Sequence, residues 1–232
     1  SMKRLEIGAA LSIEELLHLA SLLEVAKRAK AYSRNDRTEE AETSDSLDEF
    51  FDGIEPLTPL LEEIRRCIIS SDEISDDASS GLKAVRSSMK GMQDKIHSQM
   101  NSILNSASAS GLLQDNVITM RNGRYCLPVK SEYKNQVSGM VHDQSSSGST
   151  LFIEPMAVVN LNNELKELSI KEQDEIAVIL ATLSAKAGEY IPAIETDYQI
   201  LTELDFIFAK AAYALEYNGI TPHFNTAVSY TH

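Results

Sequence analysis

The chain has 232 residues, 43% of them apolar, and a formal net charge of −14. Its length and apolar share allow a packed core and argue against global disorder, and its negative charge argues against simple phosphate-backbone binding by the chain as a whole. The two cysteines, Cys67 and Cys126, form no CxxC pair, which argues against a structural zinc site or a disulfide framework and fits a cytoplasmic protein. No apolar run approaches the roughly 20 residues of a membrane helix, so no membrane partner is expected.

The first long helix is predicted from a capping box. Ser12 and Glu15 form an S-x-x-E motif, in which each side chain bonds to the backbone N–H of the other residue. Apolar residues then recur at helical spacing, which predicts a helix from about Ile13 to Tyr32. Residues 33–46 are polar and acidic, and we expect a mobile loop or a solvated helix end there.

Two further helices are predicted before the middle of the chain. Thr58 as N-cap and Pro59 at the first position start a helix that should end near Cys67. From Asp76 to about Ser108 there is no proline, and apolar residues follow at intervals of three and four: Leu82, Val85, Met89, Met92, Ile96, Met100 and Ile103. This near-heptad pattern predicts a helix of about 32 residues, roughly 48 Å long, that projects or pairs with another long helix.

A small antiparallel sheet is predicted next. Asn122-Gly123 lies between two β-prone runs and predicts a hairpin, because both central residues of a type I′ turn need positive φ. Pro128 indicates that the second strand lies at an edge or ends there. Two more short strands, Met140-Val141 and Thr150–Ile153, flank a turn at Ser145–Ser149.

Helical periodicity returns after Pro155. A second long helix is predicted, which Pro192 should kink or break; its apolar residues are Leu161, Leu165, Leu168, Ile176, Leu180, Leu183, Ala187, Tyr190 and Ile194. A last helix should end at the C-cap pair Asn218-Gly219 before Pro222, with these residues facing inward: Leu201, Leu204, Phe208, Ala211 and Leu215. The fold is therefore predicted to be mainly α: a helical core with two long antiparallel lever helices that carry a small inserted antiparallel β clamp.

The charge is distributed unevenly along the chain. Between Asn35 and Asp77 there are 15 acidic and 3 basic residues, which we interpret as a solvated surface. Residues 117–134 instead contain one acidic residue and four basic ones, Arg121, Arg124, Lys130 and Lys134. With the hydroxyls of the neighbouring serine turn, these are groups that contact phosphates without reading bases. The alternative is that they are four ordinary surface cations.

Catalytic and nucleotide-binding motifs are not found in the sequence. It has no GxxxxGK[ST], GxGxxG, HExxH or GxSxG pattern. His142-Asp143 lies beside several serines, but adjacent strand residues point to opposite faces, so a Ser–His–Asp relay is not expected. A turn in which Asp143 and the serines cap backbone N–H groups and Gly148 supplies positive φ is the preferred interpretation. The five histidines are not at metal-ligand spacing, so no metal site is expected.

Four runs in fixed order resemble the MutS superfamily, and within it the second bacterial branch, whose members carry a C-terminal Smr domain: Arg121–Lys130, Val141–Pro155, Leu161–Asn163 and Leu204–Ala211. The resemblance covers essentially the whole chain. It implies a homodimeric ATPase, using ATP and Mg, with core, lever and clamp regions followed by an ATPase domain and a Smr nuclease-type domain. The family is associated with suppression of recombination through branched DNA and with rescue of stalled ribosomes.

The resemblance assigns this chain to the core, lever and clamp, with no catalytic residue, metal or cofactor of its own. The family's clamp grips nucleic acid mainly through the backbone, a role that would fall here on Arg121, Arg124, Lys130, Lys134, Ser145, Ser146, Ser147 and Ser149. The predicted division is a core part (1–75), a first lever helix (76–110), the clamp (111–155), a second lever helix (156–192) and a core return (193–232).

Two other functions remain open. The chain is alternatively a dimerisation and protein-interaction module that transmits ATPase motion and has no nucleic-acid affinity. A hydrolase around His142 ranks below both. Whether branched DNA or ribosomal RNA would be the working ligand is not decided by the sequence.

Overall fold

A computed structural model describes residues 2–36 and 46–219 of the chain. The described helices are α1 (Met2–Glu6), α2 (Ile13–Asp36), α3 (Asp48–Gly53), α4 (Thr58–Cys67), α5 (Ser80–Ala109), α6 (Val159–Gly188) and α7 (Ile191–Glu216). The described strands are β1 (Ile68–Ser70), β2 (Glu73–Ile74), β3 (Thr119–Arg121), β4 (Arg124–Lys130), β5 (Gly139–Gln144) and β6 (Thr150–Pro155). Most of the predicted acidic loop, together with Pro222, His223 and His232, lies outside the described residues.

The chain divides into two units. The first contains the residues up to Arg65 and those from Thr182 onward, and the second contains Arg66–Ala181. The five-part division expected from the sequence stays a prediction. Among the described helices none is by itself long and apolar enough to span a membrane; one bent pair, residues 156–188 with α7, meets the length and composition limits together.

In the first unit, the capping box at the start of α2 is confirmed. Glu15 N donates to Ser12 Oγ (3.2 Å) and Ser12 N donates to Glu15 Oε2 (2.9 Å). The helix continues past the predicted end at Tyr32 to Asp36. Together with α3 and α7 it encloses a buried apolar cluster made of Ala26, Phe51, Ile54 and Leu204.

The start of α4 differs from the prediction. The predicted N-cap role of Thr58 is wrong, because its hydroxyl donates to Pro56 O (3.0 Å) and Leu61 N bonds to Leu57 O (3.0 Å), which makes Leu57 the residue before the first turn. The predicted end at Cys67 is confirmed. The short helices α1 and α3 were not predicted, since five or six residues are too few to display a helical period.

The break at Pro192 is confirmed, because α6 ends at Gly188 and α7 begins at Ile191 with the proline in its first turn. The C-cap is also confirmed: Asn218 has φ of 51° and Gly219 N bonds to Ala214 O (2.8 Å). The predicted inward face of α7 is only partly right. Leu204 is buried, but Phe208, Ala211 and Leu215 are exposed, Leu215 by 81%. Within the described part of the chain, α7 has no buried residue after Leu204.

In the second unit, α5 bears out the near-heptad pattern. It begins at Ser80, after a 3-10 turn at Asp76–Ala78, because Ser79 Oγ accepts the Leu82 N–H (2.9 Å). Three of the seven predicted apolar positions are fully buried, namely Leu82, Ile96 and Met100, and the others are partly buried. The short β1–β2 hairpin before α5 was not predicted.

Within this unit α5 and the part of α6 up to Ala181 run antiparallel. Near the start of α5, Arg86 Nε bonds to Glu172 Oε1 (2.7 Å) and Ser79 Oγ to Glu175 Oε2 (3.2 Å). The later residues of α5, Ile96 to Ala107, pack with the sheet in the same core cluster as Leu165 near the start of α6. The sheet therefore lies at one end of the helix pair, as predicted, and the mainly α fold with an inserted β region is confirmed.

The four strands of the inserted sheet are antiparallel in the order β3-β4-β6-β5. Asn122 and Gly123 have φ of 51° and 74°, which confirms the predicted type of turn between β3 and β4. The edge position predicted from Pro128 is wrong, because β4 is an inner strand. Proline is tolerated there since β3 pairs only as far as Cys126, and beyond it the Pro128 carbonyl accepts from Gln114 N (2.9 Å) in an irregular segment.

Candidate nucleic-acid interface

The sheet has one apolar face and one polar face. Alternation along β4 and β6 turns one set of residues into the core shared with α5 and α6: Tyr125, Leu127, Val129, Leu151 and Ile153. The residues between them, including Cys126, Phe152 and Glu154, belong to the opposite face, which we call the polar face. Arg121 and Arg124, from the β3–β4 hairpin, make their contacts on this polar face.

Arg124 is bonded inside the protein. Its Nη1 donates to Glu154 Oε1 (2.8 Å) and its Nη2 donates to Asn163 Oδ1 (2.6 Å). The Glu154 side chain is fully buried, whereas that of Arg124 is 24% exposed. A buried carboxylate needs such a partner, because an uncompensated charge away from water is costly. The guanidinium predicted to contact nucleic acid therefore already neutralises Glu154.

His142 reaches the same carboxylate because of a β-bulge. The pairing of β5 with β6 shifts register between Val141 and Asp143, so that Val141 lies opposite Ile153 and Asp143 opposite Phe152. His142 is the extra residue, and its Nε2 lies 2.5 Å from Glu154 Oε2. The bulge overrides the simple alternation assumed from the sequence.

Arg121 covers the middle of the polar face. Its guanidinium carbon lies 3.9 Å from the centroid of the Phe152 ring, a cation–π distance. Its Nε lies 3.3 Å from Asp143 Oδ2, and both side chains are partly exposed, by 37% and 49%. An exposed pair of this kind contributes little to stability. Because the Arg121 side chain is partly exposed, its charge remains within reach of solvent and of an anionic ligand.

The two predicted lysines lie at the other end of β4 and just after it. Lys130 is the last residue of β4, is half-buried, and donates from Nζ to Gly111 O (3.1 Å). Lys134 lies in the 3-10 turn Ser131–Gln136 and is exposed. Ser131 N bonds to Ser149 O (2.9 Å), so this turn starts directly beside the serine loop.

The serine loop, residues 145–149, connects β5 and β6. Its frame is internal: Ser145 N donates to Thr150 O (2.9 Å), Gly148 N to Ser145 O (2.8 Å) and Thr150 N to Ser145 Oγ (3.1 Å). Gly148 has φ of 75°, as the turn interpretation requires. Ser146, Ser147 and Ser149 are exposed, although the Ser147 hydroxyl bonds to those of Ser149 (2.8 Å) and Ser145 (3.3 Å).

The structure thus separates the predicted site residues into two groups. Lys130 pairs with Thr150, which brings the two lysines and the serine loop to one end of the sheet. Arg124 is the first residue of β4, six residues or about 20 Å along the strand from Lys130. Its charge is neutralised by Glu154. We call the first group, Lys130, Lys134 and the serine loop, the loop end. Arg121 pairs with Arg124 at the hairpin end, and its guanidinium reaches over Phe152 toward the middle of the polar face.

Two side chains of the polar face, Cys126 and His142, belong to residue types that often act in catalysis. Burial, with the nearby Glu154 carboxylate adding to the effect, raises the pKa of the Cys126 thiol to about 11, so the thiol stays protonated at neutral pH. The His142 ring bonds to Glu154 and the Asp143 carboxylate pairs with Arg121, so the two do not form the relay of a hydrolase. Across residues 2–36 and 46–219, no three His, Cys, Asp or Glu side chains are grouped to hold a metal ion.

Sequence reasoning missed the residues that organise the polar face. Glu154 and Asn162 are fully buried polar side chains, and Asn163 completes their contacts. Glu154 follows a β-prone run and precedes a proline, so the sequence indicated only that a strand ends there. An acidic residue inside a strand that is otherwise apolar is the one signal that would have indicated a buried charge needing a basic partner.

Comparison with known proteins places the chain in a family. No family model matches it. Proteins named Endonuclease MutS2 match nearly its whole length: that of Agathobacter rectalis is 60% identical over 226 residues (97% of this chain), and that of Lachnoclostridium phytofermentans is 55% identical over 229 residues (97%). That of Lachnospira eligens is 50% identical over 227 residues (98%). The chain spans only 28% to 29% of the length of these relatives. At this identity over almost all of its residues, the chain is a segment of a protein of the MutS2 family.

Proposed function

We propose that this segment contacts the phosphate backbone of nucleic acid through the loop end of its sheet. The observation that carries the proposal is the grouping of Lys130, Lys134 and the serine hydroxyls in one place, in a chain whose net charge is −14. Lysines and hydroxyls bind phosphate oxygens without distinguishing bases. Arg121 adds a partly exposed charge over the middle of the polar face.

The role of the whole protein is part of the same proposal. Relatives are named as endonucleases, and the resemblance of the sequence implies a homodimeric ATPase that uses ATP and Mg and acts on branched DNA or on ribosomal RNA. We propose that nucleotide turnover and strand cleavage belong to other parts of such a protein, and that this segment supplies grip. Two copies of the segment would bind jointly, so weak binding by one copy is compatible with tight binding by the assembly.

The proposal is tested by neutralising the two lysines together. In Lys130→Gln/Lys134→Gln, binding of a branched DNA and of a structured RNA at low salt should weaken strongly for both ligands. The matched control is Lys90→Gln/Lys166→Gln, which removes the same charge from exposed positions on α5 and α6. Equal loss in both double variants, or none in either, would mean that the loop end is not the contact.

A second function is favoured by a different observation. The last turns of α7 and the residue after it expose large apolar side chains, namely Phe206, Phe208, Tyr213, Leu215 and Tyr217. Exposed apolar surface commonly marks a protein contact. This supports a dimerisation and protein-interaction module that transmits ATPase motion. A chain that is dimeric in solution, becomes monomeric on Leu215→Glu and Phe208→Glu, and binds neither DNA nor RNA would favour this function over the first.

A further inference from the structure

The buried carboxylate of Glu154 joins four elements of the second unit. It belongs to β6 and receives bonds from Arg124 of β4 (2.8 Å), from His142 of β5 (2.5 Å) and from Asn162 Nδ2 of α6 (2.7 Å). Its side chain is fully buried. Hydrogen bonds to a buried charge are stronger than those between neutral groups and weaken steeply when their geometry is disturbed. One carboxylate therefore links three strands and a helix.

Asn162 and Asn163 extend these contacts to the main chain and to the arginine. The Asn162 amide accepts from Tyr125 N (3.3 Å) and donates to Tyr125 O (3.4 Å), so the first turns of α6 bond directly to the backbone of β4. Asn163 Oδ1 accepts from Arg124 Nη2 (2.6 Å). By contrast, the surrounding contacts between the sheet and α6 are apolar, through residues such as Leu161 and Leu165. Apolar packing is not directional and by itself tolerates small displacements.

We propose that Glu154, Arg124, His142, Asn162 and Asn163 are positioning residues that make the sheet and the start of α6 move as one body. These five residues are called the α6 tie. The tie holds the serine loop at a fixed distance from α6, because β6, which carries Glu154, begins directly after that loop. When α6 is displaced, the loop end is then displaced with it, because the helix and the sheet do not slide past each other. Only the last step, in which the loop end meets nucleic acid, rests on the proposed function.

The tie is tested without any ligand, by measuring distances between two spin labels. The labels are attached at Ser146→Cys in the serine loop and at Gln173→Cys on α6, which are both exposed positions, while Cys67 and Cys126 are buried and protected. With the tie intact, we expect one narrow distance peak. Asn162→Ala removes the bonds of α6 to the Tyr125 backbone and to Glu154, leaving the Asn163–Arg124 bond, and that single narrow peak should be lost.

The matched control is Asn160→Ala, an exposed asparagine in the same turn of α6, which should keep the narrow peak. Unfolding in urea is measured on the same samples. A residue that only adds stability would lower the unfolding midpoint and leave the folded-state distances narrow, so a narrow peak in folded Asn162→Ala overturns the proposal. If Asn162→Ala does not fold, Asn163→Ala decides: a broadened peak supports the tie, and an unchanged peak overturns it. Loss of nucleic-acid binding in the lysine variants has no bearing on this result.

Discussion

Removing the arginine that neutralises Glu154 should be far more damaging than removing its neighbour in the same hairpin. Arg124→Met keeps an apolar stem of similar length but leaves the fully buried Glu154 carboxylate with only His142 and Asn162 as partners. Breaking a buried ion pair from one side costs roughly 3–5 kcal/mol, and because Arg124 is 24% exposed we expect the lower end, about 3 kcal/mol. Arg121→Met removes an exposed ion pair, a cation–π contact and an exposed hydrogen bond to Met120 O, for about 1 kcal/mol.

The double variant separates this cause from general disruption. Glu154→Gln removes the charge that Arg124 neutralises, so Arg124→Met/Glu154→Gln should be more stable than the sum of the two single changes predicts, by about 1 kcal/mol or more. The free energies come from urea unfolding with linear extrapolation, at constant slope. Additive effects of the two changes, or an Arg124→Met that costs no more than Arg121→Met, would show that the arginine is not committed to Glu154 and is free for a ligand.

Two further predictions concern other parts of the chain. Burial raises the pKa of the Asp197 carboxyl, whose Oδ2 finds no hydrogen-bond partner among the described residues. The folded state therefore binds more protons than the unfolded state, and stability should fall as the pH rises from about 4 through the raised pKa. Urea unfolding across pH should show Asp197→Asn losing this dependence, whereas Asp205→Asn, at an exposed position on the same helix, should keep it. Gly91→Ala on α5 should stabilise the chain by about 1 kcal/mol, because a Cβ there meets open space. Gly81→Ala on the same helix should gain little or nothing, because its Cβ would come within 2.6 Å of Glu175 Cδ and displace the carboxylate that bonds to Ser79. Equal gains in stability for the two variants in thermal unfolding would contradict this prediction.

Elements that depend on local chemistry were predictable from the sequence. The capping box at Ser12, the turn at Asn122-Gly123 and the break at Pro192 each follow from groups within a few residues of one another. The near-heptad pattern of α5 was also predictable, because periodicity along one helix is visible without knowing its partner.

The remaining differences depend on contacts that are distant in the sequence. The bulge at His142 changes which side chains share a face, and a one-residue shift of register carries no compositional signal. Arg124 was assigned to a ligand because it flanks a hairpin turn, yet its partners are 30 and 39 residues away in sequence. Phe208 and Leu215 follow the helical spacing of an apolar face. Such spacing does not show whether another element covers that face, and among the described residues both side chains are exposed.

The bonding of Arg124 also changes which charge-reversal experiment is informative. Replacing Arg121 and Arg124 together by glutamate would place a second carboxylate beside the buried Glu154. Such a variant would lose nucleic-acid binding through damage to the sheet even if neither arginine touched the ligand. Lys130 and Lys134 lie away from Glu154 and avoid this ambiguity.

The most direct test of the proposed contact is the salt dependence of duplex binding. Each phosphate contact that is removed should reduce the steepness of log K against log salt by about 0.9, so Lys130→Gln/Lys134→Gln should flatten the slope by about 1.8 relative to the unchanged chain. Lys90→Gln/Lys166→Gln should leave the slope unchanged. A slope that stays the same in the first variant, or flattens equally in both, would contradict phosphate binding at the loop end.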